Sequence, residues 1–175
     1  MRADRLTNID LVRSIYAAWA HGDYSSVEWA DPEIEYVFAD GPSPGSWIGP
    51  AEMAWVWRDW LSAWDEFRVE PEEYRCIDDE RVLVLIRFCG RGRASGVDIE
   101  RTQTRSASLF HIRAGKVTRF VTYFDCERAE LDLARETAPG DGGSRRFGSR
   151  HSRAANASRS TRRALPYRIA SASSG

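Results

Sequence analysis

An α+β domain, with a curved antiparallel sheet wrapped around N-terminal helices and followed by a disordered tail, is the fold class that this 175-residue sequence predicts. Three observations predict it. Helical signals and one strand come first, and four strand-like runs with short links follow. Both kinds of run carry aromatic stripes, drawn from seven Trp, six Tyr and seven Phe, that call for a shared core. The composition then changes abruptly. Residues 1–134 hold 16 basic and 24 acidic side chains, whereas residues 135–175 hold 9 basic and 2 acidic ones. The expected division is a domain over 1–134 and an Arg-, Ser- and Gly-rich tail over 135–175.

Each element has its own signal. Thr7 or Asn8 is placed to cap a first helix, in which Ile9, Val12, Ile15, Tyr16 and Trp19 recur at helical spacing before Gly22 stops it. Asp23 is placed to cap a short second helix, Tyr24–Trp29. Asp31-Pro32 is a break, and Ile34–Ala39 is a strand rich in β formers. Gly41-Pro42-Ser43-Pro44-Gly45 reads as a loop. Pro50 suits the first turn of a helix over Ala51–Trp64, with Met53, Trp57, Trp60, Leu61 and Trp64 on one face. Trp55 lies off that stripe and is available for a contact surface. Strands are expected over Arg68–Ile77, Val82–Gly90, Thr102–Ile112 and Val117–Phe124. Asp78-Asp79-Glu80 and Arg113-Ala114-Gly115-Lys116 read as tight turns, the second with Gly in the left-handed position. Cys126–Leu133 adds a final helix. Short links call for antiparallel pairing, and the helices must cover one face of the sheet.

Several function classes fall away. No apolar run approaches the roughly 20 residues that span a bilayer. Met1 to Leu6 has no apolar core of a secretory signal. Cys76, Cys89 and Cys126 are odd in number and lack metal spacing, so reduced thiols in a cytoplasmic protein are expected. The acidic body argues against nucleic-acid binding by the domain. The tail has almost no apolar periodicity beyond Leu165, Tyr167 and Ile169. It reads as a solvated extension, as an Arg-rich arm for anionic partners, or as the product of a shifted reading frame. Phosphate-loop, dinucleotide and nucleophile-elbow motifs are missing. His21, His111 and His151 are too scattered for a metal site. Neither a metal nor a cofactor is expected.

Four stretches carry a family resemblance: Asn8–Gly22, Ala30-Asp31-Pro32-Glu33-Ile34-Glu35-Tyr36, Trp47-Ile48-Gly49-Pro50, and Leu109 through Val117. Over roughly residues 6 to 133 the chain resembles the nuclear transport factor two-like superfamily, and within it the SnoaL-like branch. The resemblance implies a cystatin-like cone with a pocket between helices and sheet, and a homodimer through the sheet. Ketosteroid isomerases of this superfamily use a helix tyrosine, a protonated aspartic acid and a basic aspartate. Those places fall near Ile15, at Ala107, and at Tyr36 or Val37, so none is matched strictly; Tyr16 and Asp40 are the near neighbours. Two hydrophobic pocket positions carry over to Phe120 and Phe124. The Asp-Arg-Asp cluster of related epoxide hydrolases is not reproduced by Asp98, Arg101, Arg105, Arg119 and Asp125, and Asp125 suits a helix cap.

The expected site follows. Trp19, Tyr36, Trp57, Trp60, Phe120 and Phe124 line a pocket for a small, mostly apolar ligand. Tyr16, Asp40 and His111 orient that ligand or move a proton, against the alternatives of a core tyrosine, a loop residue and a hydrogen-bonded strand histidine. Arg87 is either an anion clamp in the pocket or a charge on the sheet rim. The functional expectation is a SnoaL-like ligand-binding protein, with cofactor-free isomerisation, cyclisation or hydration as its chemistry. The alternative is a non-catalytic dimerisation or ligand-sensing module.

Overall fold

The structure, a computed structural model, describes residues 2–96 and 105–137. Most of the expected tail, and Asp98, Arg101 and Thr102 with them, lie outside the described residues.

Helix α1 spans Arg2–Ala20. Val12, Ile15, Tyr16 and Trp19 form its buried stripe, each contributing roughly 1.5–3 kcal/mol by leaving water. The helix begins well before the expected cap at Thr7 or Asn8. Asn8 instead donates from Nδ2 to the Asp79 carbonyl at 2.9 Å. The stop falls where expected: Gly22 adopts φ 80°. Its amide donates to Trp19 O at 2.9 Å, and the Asp23 amide donates to Ala18 O at 3.0 Å. That pair of bonds is a Schellman closure, which favours glycine at the left-handed position.

The expected helix at 24–29 does not form. Asp23 Oδ1 accepts the amides of Ser25 and Ser26 at 3.1 Å each, so the cap is made. Ser25, Ser26 and Val27 are weak helix formers, and Tyr24, Val27 and Trp29 pack on the core as a loop.

Strand β1, Ala30–Phe38, starts four residues earlier than expected, and its pairing slips between Ala30 and Glu35, around Asp31-Pro32. A strand not anticipated, β2 at Gly45–Ile48, folds back on it as a hairpin. Helix α2 spans Pro50–Ser62, and Trp64 opens the next strand rather than ending the helix. Strands β3 (Trp64–Cys76), β4 (Arg81–Gly92), β5 (Ser106–Arg113) and β6 (Lys116–Tyr123) follow, then helix α3 (Cys126–Thr137). The β5–β6 turn has positive φ at both Ala114 (48°) and Gly115 (74°), the geometry of a type I′ hairpin. Asp125 Oδ1 accepts the Glu127 amide at 3.0 Å and so caps α3.

The six strands form one open sheet in the order β2-β1-β6-β5-β4-β3. Four pairings are antiparallel, as the short links require, and β1–β6 is parallel. The sheet has two covered faces. The inner face, with Tyr36, Phe38, Val84, Phe110 and Phe120, packs against α1 and α2. The outer face, with Leu83, Leu85, Ala107, Leu109 and Val121, packs against Ala129 and Leu133 of α3. Two ion pairs join α3 to the sheet: Arg75–Glu130 at 3.2 Å and Arg81–Glu136. Among the described residues no helix is long and apolar enough to cross a membrane. No disulfide links the three cysteines.

Candidate functional site

Strand alternation decides which side chains can meet beneath α1. Tyr36, Phe120 and Phe110 stand in register across β1, β6 and β5. The next inner row is Phe38, Thr122, Ser108 and Val84. Ring contacts tie the first row together: Phe110 stacks on Phe120 at 4.6 Å, and Phe120 lies 5.1 Å from Tyr36. Tyr16 of α1 meets Phe110 edge-on at 6.0 Å and Trp19 at 5.0 Å. Trp57 of α2 stacks on Tyr36 at 6.0 Å and meets Trp19 at 5.5 Å. Trp60 lies 5.3 Å from Phe124. Every aromatic residue expected to line the pocket is therefore on the inner face, and these rings contact one another.

Within this apolar layer sits a cluster of hydroxyls. Tyr16 Oη, Tyr36 Oη and Thr122 Oγ1 are fully buried and have no hydrogen-bond partner among the described residues. Burial pushes both phenols far above their ordinary pKa, so both remain protonated donors at any ordinary pH. Ser108 beside Tyr16, and Thr122 beside Tyr36, offset part of that burial effect, but neither is aligned into a hydrogen bond with its phenol. Orphaned buried hydroxyls cost about 1–3 kcal/mol each, so a group of them marks a place where polar contact is wanted. Among the described residues, the buried polar side chains are Ser106, Ser108 and Thr122, and none carries charge. The arrangement can donate hydrogen bonds to a neutral oxygen acceptor; it supplies no buried cation to hold an anion.

Ser108 and Thr122 were not singled out by the sequence reading. The signal was available in Ser106-Ala107-Ser108-Leu109-Phe110-His111-Ile112, where Ser106 and Ser108 alternate onto the same face as Phe110 and Ile112. His111 in the pocket requires the opposite face, that of Ala107 and Leu109, to point inward.

Three expected site residues lie elsewhere. His111 is on the outer face, in register between Arg81 and Arg119. It lines an open cleft of about 450 Å³ with Asp78, Asp79, Glu80, Arg81 and Arg113. Burial, then the charges of Arg119 and Arg81, lower its pKa. Ala107, the expected position of an acid, also faces α3. Arg87 is exposed on the outer face and pairs with Glu72, so it is a rim charge and not a pocket clamp. Asp40 sits at the loop after β1, where Oδ1 accepts the Phe124 amide at 2.6 Å. Beside it, Gly41 at φ 85° presses so closely on the Phe124 ring that a Cβ would lie 2.4 Å from it. Asp40 therefore ties the loop over the end of the inner face. Among the described residues no group of three or more His, Cys, Asp or Glu is placed to hold a metal.

Comparison with known proteins agrees with this fold. No curated protein matches the chain. Solved structures do. Bal32a, from a soil-derived mobile gene cassette, superposes with a TM-score of 0.59 at 19% identity over 69% of this chain and 90% of its own. An NTF2-like protein of unknown function from Burkholderia pseudomallei gives 0.59 at 20% identity, covering 76% of this chain and 98% of its own. A putative polyketide cyclase from Sinorhizobium meliloti gives 0.50 at 21% identity, covering 65% and 93%. Likeness at such identities speaks for the fold alone. The family model of the SnoaL-like domain matches residues 12–120, from the buried stripe of α1 to the ring of Phe120 on β6. By that match the chain belongs to the SnoaL-like domain family.

Proposed function

We propose that this protein binds a small, mostly apolar, neutral ligand bearing an oxygen acceptor on the inner face of its sheet. The observation that supports this reading is the pair of buried, unpartnered, permanently protonated phenols of Tyr16 and Tyr36. Together with Ser108 and Thr122 they offer directed donors inside an aromatic wall, the composition of a small-molecule site. A carbonyl or ether oxygen satisfies these donors; a carboxylate would enter without a compensating charge. The ligand would enter at the Phe124 end, where the Asp40–Gly41 loop lies over the ring. If the site is catalytic, its chemistry is cofactor-free isomerisation, cyclisation or hydration, with both phenols stabilising negative charge as it develops on the bound oxygen.

The alternative reading is a non-catalytic ligand-sensing or dimerisation module. It is favoured by one observation: no buried carboxylate or imidazole joins the hydroxyls among the described residues. A homodimer through the sheet would have to use the part of the outer face that α3 leaves open, near Val37 and Ile48.

Titration with neutral cyclic ketones and lactones, and with the matching carboxylates, tests the reading by thermal shift and NMR. Neutral carbonyl compounds should raise Tm and the carboxylates should not. Tyr16→Phe with Tyr36→Phe should abolish the shift. Equal stabilisation of the double variant, or none of the wild type, would sink the interior site. Isomerised or hydrated product in the bound fraction separates enzyme from sensor.

A further inference from the structure

The outer side of α2 carries an arrangement that the interior site does not use. Trp55 is 54% exposed, opposite the buried Met53, Val56 and Trp57 of the same helix. It borders a cleft of about 490 Å³ whose other walls are Trp47 of β2, Ala51 and Glu52. The two indoles differ in how they are held. Trp47 is fixed: its ring contacts Phe38 at 5.7 Å and Tyr36 at 6.1 Å, and it covers Gly45, where a Cβ would sit 2.8 Å from the ring. Trp55 projects from the helix surface, one turn from Glu52, so the two share a helix face. Glu52 stands in the first turn of α2. Among the described residues it has neither a hydrogen-bond nor an ion-pair partner, although most acidic side chains on the sheet are paired.

We propose that Trp47, Trp55 and Glu52 form a binding site for a small alkylated ammonium ion. Two indole faces attract a cation through their ring quadrupoles, most strongly one that sheds water easily. A methylated ammonium meets that condition and offers apolar surface to the rings. A metal ion or bare ammonium is too strongly hydrated to profit from them. Glu52 supplies the counter-charge and discriminates against neutral and anionic ligands of the same shape. The site lies on the exposed side of α2 and does not depend on the interior reading, although the Trp47 ring touches that of Tyr36.

Choline and its uncharged carbon isostere, 3,3-dimethylbutan-1-ol, are the probes, titrated into the full chain while the tryptophan indole N–H resonances are followed by NMR. Choline should shift the Trp55 and Trp47 signals saturably, with the isostere weaker by about tenfold. Trp55→Ala should weaken choline by about tenfold and Glu52→Gln severalfold. Trp55 is exposed, so its replacement leaves the core intact; circular dichroism verifies the fold. Tyr16→Phe, at a phenol whose ring contacts are Trp19, Tyr74 and Phe110, should leave choline binding unchanged. Equal affinity for the isostere would reduce the site to an apolar groove. Retention of choline binding by Trp55→Ala, or an absence of saturable shifts in the wild type, would overturn the proposal. Loss of choline binding in Tyr16→Phe would move the cation to the interior and overturn it as well.

Discussion

The two faces of the same sheet treat polar groups in opposite ways. On the outer face the charged side chains are matched: Arg75 to Glu130, Arg81 to Asp78 and Glu136, Arg113 to Glu80, Arg119 to Glu35. Beneath them Ala107, Leu109 and Val121 are sealed by α3. On the inner face the rings contact one another, yet the phenols of Tyr16 and Tyr36 and the hydroxyl of Thr122 are left without partners. The outer face, whose charges are paired across its surface, is built for stability, although His111 Nε2 is buried there without a partner. A face that buries donors and leaves them unmet gives up stability where contact with another molecule is wanted.

The largest effect expected from this contrast concerns packing. Phe120→Ala removes a ring stacked on Phe110 and tilted against Tyr36, and should cost about 3–5 kcal/mol in urea unfolding. Leu109→Ala on the outer face should cost about 2–5 kcal/mol. A clearly smaller loss at Phe120 than at Leu109 would mean that the inner rings enclose space that the truncated side chain leaves unfilled at little cost.

The next effect has the opposite sign. Tyr36→Phe deletes a buried hydroxyl that has no partner, and should stabilise the protein by up to about 1–2 kcal/mol while weakening a bound carbonyl ligand. Thermal and urea midpoints of the free protein check the first half. A loss of stability would show that the phenol is satisfied in solution, through Thr122 beside it, and would erase the contrast between the faces.

Much of the fold was legible because it is periodic. The stripe on α1, the stop at Gly22, the turn at Ala114-Gly115 and the β4 run all follow from local spacing. What escaped was set at long range or by short segments. The four residues of β2 lie between a loop and the start of α2, and owe their strand geometry to β1. The parallel β1–β6 pair joins segments some eighty residues apart, which no local pattern announces. The candidate site was half legible. Tyr16, Tyr36 and the large rings stand out by type and spacing. Ser108 and Thr122 did not, because a strand's two faces differ by a single residue of register. An inner set of Ala107, Leu109 and His111 exchanges the buried Ser108 for a histidine that belongs outside.

Smaller still is the expected contribution of the outer ion pairs. Glu130→Gln breaks a partly exposed pair with Arg75 and should cost about 0.2–1 kcal/mol, less in high salt. A larger loss would make α3 an electrostatically held strap; none would leave Ala129 and Leu133 to hold it alone.

His111 gives the smallest and most selective test. Burial and the flanking Arg119 and Arg81 depress its folded-state pKa, while Glu136 of α3 and Asp78 of the adjoining turn pull the other way. The folded chain therefore prefers the neutral ring, and the unfolded chain takes up the proton at a higher pH. Stability from this group is fully present above the unfolded value of about 6.5 and is lost as pH falls through it, until the folded ring protonates too. Tm should thus decline more steeply below pH 6.5 in the wild type than in His111→Gln, with the curves running parallel above it. Identical slopes would show that Glu136 and Asp78 cancel burial and the two arginines together at this position. A Tm that rises on acidification in the wild type alone would reverse the order of those charges, and would make the outer cleft a place where protonated histidine is held.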